Sequence, residues 1–317
     1  DLIYLAKEAG ADAAKFQHYT ADSLVSDFGF KKLGGSKSHQ AYWEKSVYET
    51  YKDASLNQEW TKTLMETCKK AEISFFTSPY SFQLCDFVDQ YVPAYKIGSG
   101  ECNNYPFVEY VCKKKKPIIL STGMNSIKTI IPAVKIIRKY KLPYALLHCT
   151  NIYPTPHKLV RLNAMLELKK NFKDAVLGLS DHTESIYTCL GSISLGASIV
   201  EKHFINDKKI AGPDISSSMD GSELKNLIFG SRIIFESLKG KKGPIKEERK
   251  TIAFAFASIA AVKNISKNEK LTPDNIFPIR PGNGYYKISD YKKLLGLRAK
   301  KNIKKGNQLT ISDVKKN

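Results

Sequence analysis

The sequence predicts an α/β fold, a closed barrel of parallel strands followed by a small second domain. Seven short apolar segments recur between residues 13 and 204, each followed by a polar or helical stretch. Continuous apolar strands alternating with helices favour a parallel barrel over an open sheet. Each segment ends in residues able to bind or react, at the edge where the active sites of such barrels lie. After residue 250 the pattern changes to short strands and polar turns, which indicates a separate module.

The predicted strands are AAKFQ (13–17), ISFFTS (73–78), AYKIGSG (94–100), PIILSTG (117–123), YALLHCT (144–150), AVLGLS (175–180) and SIVEKHF (198–204). Helical spacing of apolar residues predicts helices over residues 57–70, 127–140, 162–170 and 222–238. A closed barrel of this kind has eight strands, and this sequence opens on a helix. We therefore expect the first strand, with its part of the active site, to be absent from this sequence.

The domain organisation that follows is a barrel over residues 1–238, a basic linker over 239–250 and a small domain over 251–317. The small domain contains a repeat, because KNISKNEKLTPDNI (263–276) is similar to KNIKKGNQLTISDV (301–314). In each copy, Leu-Thr before an acidic segment predicts the start of a helix. A module this small has a marginal core, so we expect it to dock on a barrel.

Composition excludes several classes of protein. The formal net charge is +19, but the lysines are spread along the chain, which is typical of a solvated surface and not of a nucleic-acid interface. No apolar run is long enough to span a membrane, and the chain does not open on a signal peptide. The six cysteines are scattered, which indicates a reducing compartment. We expect a cytoplasmic protein that binds neither nucleic acid nor membrane.

Two histidines are candidate metal ligands. A predicted strand–helix–strand unit over residues 175–204 places His182 and His203 at the same edge of the sheet. Together with Tyr153 and Asp214 they suit a divalent ion that keeps water and substrate in its shell, such as Mn²⁺, better than structural zinc. The alternative is two unrelated histidines, each satisfied by local hydrogen bonds.

A second set of strand-end residues is cationic and rich in hydroxyls, which suits an anion carrying phosphate and carboxylate. Its members are Lys15, Thr77, Lys96, Ser99, Ser121 and Asn151. Both lysines lie inside apolar strands, where an unpaired ammonium would be costly, so we favour functional roles over surface placement. Glu101 either orients one of these lysines or acts as an acid or base if its pKa is raised.

Several motifs carry a resemblance to a known family. KIGSGECNNYP (96–106), ILSTGMNS (119–126), LLHCTNIYPTP (146–156), GLSDHT (178–183), EKHF (201–204) and IRPGNG (279–284) resemble those of the bacterial sialic acid synthases. The similarity spans nearly the whole chain in order. It implies a TIM barrel with a C-terminal antifreeze-like (SAF) domain in a domain-swapped homodimer. It also implies the condensation of phosphoenolpyruvate with N-acetylmannosamine to N-acetylneuraminate and phosphate.

The resemblance also implies roles for individual residues. It assigns phosphoenolpyruvate to Lys15, Thr77, Lys96, Ser99, Ser121, Asn151 and Ser180, the sugar to Gln17, Tyr153, Asp214 and Arg280, and Mn²⁺ (or Mg²⁺ or Co²⁺) to His182 and His203. Arg280 is expected to reach the active site of a partner subunit. We expect catalytic roles for Glu101, Lys96 and Asp214. The family's first-strand motif, with its catalytic Glu, has no counterpart in this sequence.

Other functions remain open at this point. A legionaminic acid synthase or an N-acetylneuraminate-9-phosphate synthase would use the same chemistry on another sugar. The KIGSGECNNYP form favours the N-acetylmannosamine type over the pseudaminic type. A protein that binds sugar or phosphate without catalysis is the alternative from a different class.

Overall fold

The structure, a computed structural model, describes residues 1–33, 43–210, 212 and 214–315. It divides into two compact units, Asp1–Lys239 and Gly240–Asn317. Unit 1 contains parallel strands alternating with helices, and unit 2 contains short antiparallel strands. Among the residues described, no helix combines the length and the apolar character needed to cross a membrane.

All seven predicted strands are present in unit 1, and a short eighth strand follows them. The strands are β1 (Ala13–His18), β2 (Ser74–Pro79), β3 (Tyr95–Ile97), β4 (Ile118–Ser121), β5 (Tyr144–Cys149), β6 (Val176–Asp181), β7 (Ile199–Phe204) and β8 (Ser218–Met219). Every pairing is parallel: β1 pairs with β2, and the others form one sheet in the order β3-β4-β5-β6-β7-β8. This curled parallel sheet confirms the predicted α/β barrel class.

Helices follow most of the strands, as the spacing of apolar residues predicts. They are α1 (Leu2–Ala9), α2 (Ala21–Leu24), α3 (Asp27–Leu33), α4 (Val47–Asp53), α5 (Trp60–Lys70), α6 (Phe82–Val88), α7 (Tyr105–Cys112), α8 (Ile127–Lys139), α9 (Ala164–Asn171), α10 (Tyr187–Ser194) and α11 (Gly221–Ser237). In α8 the buried side chains Ile130, Ala133, Val134 and Ile137 recur at helical spacing and form one apolar face. Its first turn is closed by a capping box between Ser126 and Thr129.

The core of unit 1 lies on both faces of the sheet. All six residues of β5 are buried, so its side chains pack inside the barrel and against the surrounding helices. Ile118 and Leu120 of β4 and Leu146 of β5 are fully buried in the main apolar cluster. This packing holds the carboxyl ends of the strands at one edge, where the polar residues lie.

Unit 2 contains α12 (Arg249–Ala255), β9 (Ser258–Ala261), β10 (Ile276–Ile279), α13 (Tyr291–Leu294), β11 (Arg298–Ala299) and β12 (Val314–Lys315). Equivalent residues of the two repeat copies pair with each other, since Ile265 and Ile303 exchange both backbone hydrogen bonds at 2.8 Å. Leu271 and Leu309, which are also equivalent, are both fully buried.

The helix starts predicted after each Leu-Thr pair are wrong. The backbone N–H of Thr272 donates to Asn275 Oδ1 at 2.8 Å, and that of Thr310 donates to Asp313 Oδ2 at 2.7 Å. These bonds resemble a helix cap, but each closes a turn that leads into β10 or β12. A side chain that accepts from a backbone N–H three residues earlier serves a turn as well as a helix.

We expect Gly178→Ala to destabilise unit 1. Gly178 lies in β6, and a Cβ there would overlap the Leu147 side chain and approach the backbone oxygen of Ile199 to 2.5 Å. Because a backbone atom of a paired strand cannot move aside, the free energy of unfolding should fall by about 1–3 kcal/mol. Urea denaturation measures the change. Gly221→Ala is the control, since a Cβ there meets nothing within 4 Å; equal stability of the two variants would contradict the prediction.

Candidate active site

A cavity of about 370 Å³ opens at the carboxyl ends of the strands of unit 1. It brings together nearly all of the predicted site residues. Those that line it are Lys15, Gln17, Lys96, Ser99, Glu101, Ser121, Asn151, Tyr153, Ser180, His182, His203 and Asp214. Successive side chains of a strand point to opposite faces, so residues two apart, such as Lys15 and Gln17 or Glu201 and His203, face the cavity together.

The carboxylate of Glu201 lies between two lysines in this cavity. Its Oε1 is 3.7 Å from Lys15 Nζ and its Oε2 is 3.6 Å from Lys96 Nζ. The side chain of Lys96 is only 4% exposed, and its ammonium also donates to Ser121 Oγ at 2.7 Å. Three strands, β1, β3 and β7, therefore each contribute one charge to the same cluster.

The charges in this cluster control one another's protonation. Burial favours the neutral carboxyl, but the nearby Lys96 and Lys15 outweigh it and lower the pKa of Glu201 to about 2. Burial lowers the pKa of Lys96, and Glu201 opposes that shift. Two ammonium groups face one carboxylate, so the cluster keeps an excess of positive charge for an anionic ligand.

His182 and His203 converge on the same cavity. Their ring centroids are 5.4 Å apart, and Tyr153 stacks on His182 at 4.1 Å and meets His203 edge-on at 5.9 Å. Nδ1 of His182 lies 2.9 Å from the backbone oxygen of Thr150, which assigns the proton to Nδ1 and the lone pair to Nε2. Burial lowers the pKa of both histidines to about 4, so both imidazoles are neutral near pH 7.

This pair has the chemistry of a metal site with few protein ligands. Neutral imidazole is the ligating form of histidine, and Asp214 Oδ2 lies 3.7 Å from His203 Nδ1. Among the described residues, no three His, Cys, Asp or Glu side chains are grouped so that they could hold a metal ion. The residues present fit an ion bound by two nitrogens, with its other positions left to water or substrate, and do not fit a closed zinc site.

A buried ion pair on the opposite face of β6 and β7 holds the two histidine strands together. Lys202 Nζ donates to Asp181 Oδ1 at 2.6 Å, and these side chains are 4% and 1% exposed. Asp181 also accepts from the backbone and hydroxyl of Thr183 and from the hydroxyl of Thr188. Asp181 and Lys202 are direct cross-strand partners, so they fix the register that places His182 and His203 on the cavity side.

Thr77 is not brought to the cavity. It is fully buried, its hydroxyl is 2.7 Å from His18 Nδ1, and the other ring nitrogen of His18 bonds Thr61. The next residue along β2, Ser78, lines the cavity instead. Ser78 rather than Thr77 faces the cavity because it pairs with Gln17, which also lines the cavity.

Glu101 lies beside Tyr80 on the cavity wall. A Cβ added at Gly98 would come within 2.6 Å of Glu101 Oε2 and 3.3 Å of the Tyr80 hydroxyl, so the glycine leaves room for both groups. Glu201 is the carboxylate that lies within 4 Å of both Lys15 and Lys96. Glu201 is therefore better placed than Glu101 to orient a lysine. Burial raises the pKa of Glu101, which favours its alternative role as an acid or base.

Arg280 lies in unit 2, where it is exposed and lines a groove with Asn283, Gln308 and neighbouring residues. Its contact with a partner's active site stays a prediction.

The resemblance assigns no role to several residues that line the cavity, namely Tyr19, Leu24, Trp43, Tyr51, Ser78, Tyr80, Cys149 and Glu201. Ser78 and Glu201 are predictable as polar strand-end residues, and two-residue alternation extends this to Tyr80 from Ser78. Tyr51 and Trp43 come from the segment between β1 and α5, whose place no strand pattern indicates.

Comparison with known proteins identifies the family. The NeuB family profile matches residues 2–243, and the SAF domain profile matches residues 256–315. The chain belongs to the NeuB family. It is 36% identical to a pseudaminic acid synthase of Campylobacter jejuni over 98% of this chain and 90% of the relative. It is 35% identical to an N,N'-diacetyllegionaminic acid synthase of that species over 96% of this chain and 91% of the relative.

A solved structure agrees with this membership of the NeuB family. The N-acetylneuraminic acid synthetase of Leptospira borgpetersenii, in complex with citrate, has a TM-score of 0.69 and 29% identity over 79% of this chain and 83% of that protein. The predicted family, and its pairing with a SAF domain, are confirmed. The curated relatives carry different sugar names at nearly equal identity, so overall similarity does not identify the acceptor.

We expect Glu201→Gln to lower the pKa of Lys96 further. Burial already favours the neutral amine, and the substitution removes the charge that opposes it, so Lys96 should lose its proton at lower pH than in the parent. Titration of the Lys96 ¹³Cε signal by NMR in both proteins measures this pKa. Asp27→Asn is the control, since Asp27 pairs on the surface with Lys31. An unchanged Lys96 titration in Glu201→Gln would contradict the assigned pairing.

Proposed function

We propose that this NeuB-family protein condenses phosphoenolpyruvate with N-acetylmannosamine to give N-acetylneuraminate and phosphate in a metal-dependent reaction. One observation carries the proposal: a lysine-lined anion site and two neutral histidines face the same cavity. Family membership supports the reaction type, and the motif KIGSGECNNYP supports the choice of acceptor.

Phosphoenolpyruvate suits the cationic part of the cavity. Lys15 and Lys96 provide two ammonium groups for its phosphate and carboxylate, and Ser78, Ser99, Ser121, Asn151 and Ser180 provide hydroxyl and amide groups. Glu201 lies within 4 Å of both ammonium groups and holds them in place before the ligand arrives. This pre-organised charge would hold the substrate and stabilise the leaving phosphate.

Mn²⁺ would be held by His182 and His203, with Mg²⁺ and Co²⁺ as alternatives. When bound, such an ion supplies Lewis acidity toward the carbonyl oxygen of the sugar. The hydrogen bond from His182 Nδ1 to Thr150 orients one of the two rings, and the stacked Tyr153 limits its rotation.

The sugar would lie against Gln17, Tyr153 and Asp214, with Arg280 contributed by a second subunit of a domain-swapped homodimer. C3 of phosphoenolpyruvate attacks the aldehyde carbon of the open-chain sugar, water adds at C2, and the tetrahedral intermediate expels phosphate by C–O cleavage. Glu101 is suited to give a proton to the oxygen formed from the aldehyde, because its raised pKa favours the donating form. Asp214, beside His203, would orient the acceptor hydroxyls.

A second candidate is a synthase acting on a diacetylated deoxy sugar, since one relative that covers nearly the whole chain is an N,N'-diacetyllegionaminic acid synthase. Both candidates share the site and the reaction and differ only in the sugar.

The test is phosphate release from phosphoenolpyruvate. We expect release that requires both N-acetylmannosamine and Mn²⁺, with sialic acid formed in equal amount. Parallel assays with the diacetylated sugar and with N-acetylmannosamine 6-phosphate rank the acceptors. A protein that binds both substrates and releases no phosphate would be a binding protein and would overturn the proposal.

We expect His203→Ala to abolish metal-dependent turnover and Mn²⁺ binding while the fold remains intact. Loss of one of two imidazole ligands should weaken Mn²⁺ binding by at least about tenfold. Electron paramagnetic resonance of free Mn²⁺ measures binding, and circular dichroism checks the fold. His157→Ala is the control, because His157 is exposed and bonds Ser185. Normal Mn²⁺ affinity in His203→Ala would remove this histidine from the metal site.

A further inference from the structure

Four aromatic side chains form a continuous row along one wall of the cavity. From Tyr80 the row passes to Tyr19 at 5.9 Å, to Tyr51 at 5.3 Å and to Trp43 at 6.0 Å between ring centroids. All four line the cavity. We call Tyr80, Tyr19, Tyr51 and Trp43 the aromatic wall.

The aromatic wall is held in place by the protein. Tyr51 lies on α4, whose first turn is closed by a capping box between Ser46 and Glu49. The Tyr19 hydroxyl donates to the backbone oxygen of Ala54 at 3.1 Å, which ties the end of β1 to the end of α4. The Tyr80 hydroxyl accepts from Gln17 at 3.0 Å. Because these two hydroxyls are already bonded within the protein, Tyr19 and Tyr80 offer a ligand mainly their rings.

Carboxylates stand close to the aromatic wall. Burial, then Asp214 and Glu101, raise the pKa of Tyr51, and burial, then Tyr51 and Asp214, raise the pKa of Tyr19 to about 12. Glu101 Oε2 and the Tyr80 hydroxyl lie side by side over Gly98. This part of the cavity therefore combines flat apolar faces with negative charge, whereas Lys15 and Lys96 are gathered around Glu201.

Such a surface selects a particular kind of ligand. Ring faces pack against C–H groups and acetyl methyls, and carboxylates accept hydrogen bonds from hydroxyl and amide N–H groups. An anionic group placed beside Asp214 would be repelled, and this repulsion provides discrimination.

We propose that the aromatic wall is the specificity-determining surface for the acceptor: it binds an uncharged, N-acetylated polyol chain and rejects an acceptor with a terminal phosphate. This inference rests on the proposed synthase function and adds its acceptor class. Tyr51 and Trp43 pack on the carbon chain, and Glu101 and Asp214 accept from its hydroxyl and amide groups. The proposed phosphoenolpyruvate site lies on Lys15 and Lys96, in the same cavity.

The chain contains a built-in reporter for this binding. Its two tryptophans are Trp43 in the aromatic wall and Trp60 at the start of α5, which is 59% exposed. In the full chain carrying Trp60→Phe, emission comes from Trp43 alone. The probe is N-acetylmannosaminitol, an open-chain alcohol that cannot condense, titrated in the presence of phosphoenolpyruvate and Mn²⁺. We expect a saturable change of Trp43 emission, and at least about tenfold weaker binding of the same alcohol bearing a terminal phosphate.

Steady-state kinetics provide the second readout. Tyr51→Ala should raise KM for the sugar about tenfold and leave KM for phosphoenolpyruvate within about twofold, since the ring contacts only the acceptor. Tyr51→Phe keeps the ring and should recover most of the sugar binding that Tyr51→Ala loses. Tyr51→Leu keeps apolar volume and covers the case in which the alanine variant does not fold. Tyr187→Ala, at a tyrosine that is 75% exposed on α10, is the matched control.

The outcomes separate the two proposals. Turnover without a change in Trp43 emission, equal affinity for the phosphorylated alcohol, or equal rises of both KM values in Tyr51→Ala would overturn the aromatic wall and leave the synthase in place. A saturable change of Trp43 emission without phosphate release would support the aromatic wall and overturn the proposed synthase function. Failure of both readouts would overturn both.

Discussion

One carboxylate, Glu201, organises the charge of the whole cavity. It lies within 4 Å of Lys15 and Lys96, so it joins β1, β3 and β7 at one point. A lysine as buried as Lys96 would lose its proton without a partner, and two unscreened ammonium groups would repel each other. The pairing with Glu201 opposes both effects and still leaves two basic groups beside one carboxylate. The positive charge of the cavity depends on this arrangement.

Much of this site is predictable from local patterns. The apolar runs predict β1 to β7 to within about two residues at most ends, because a strand buried on both faces has a composition that loops and surface helices lack. Once the strands are parallel, their carboxyl ends must share one edge, so residues such as Lys15, Lys96, Asn151 and His203 must meet. The prediction needs only strand direction and two-residue alternation.

The errors of the sequence analysis arise in two situations. In one, a sequence pattern is compatible with two different structures; in the other, residues far apart in the sequence are in contact. The strand sequence ISFFTS ends in two adjacent hydroxyl residues, Thr77 and Ser78. Only the pairing with β1 shows that Ser78 and not Thr77 faces the cavity. Asn275 and Asp313 close turns with the same bond that begins helices. Trp43 and Tyr51 reach the cavity from a segment without strand character, so only the folded chain shows them beside Tyr19.

The outward-facing pair of Asp181 and Lys202 has a consequence for folding fidelity. If β7 slipped by one position against β6, His203 would rotate toward the helices and Lys202 would point inward, while Asp181 would be buried without its cation. A one-residue slip of these strands would therefore leave an unpaired charge in an apolar layer. The ion pair therefore favours the correct strand register during folding. The register that pairs Asp181 with Lys202 is also the one that turns both imidazoles toward the cavity.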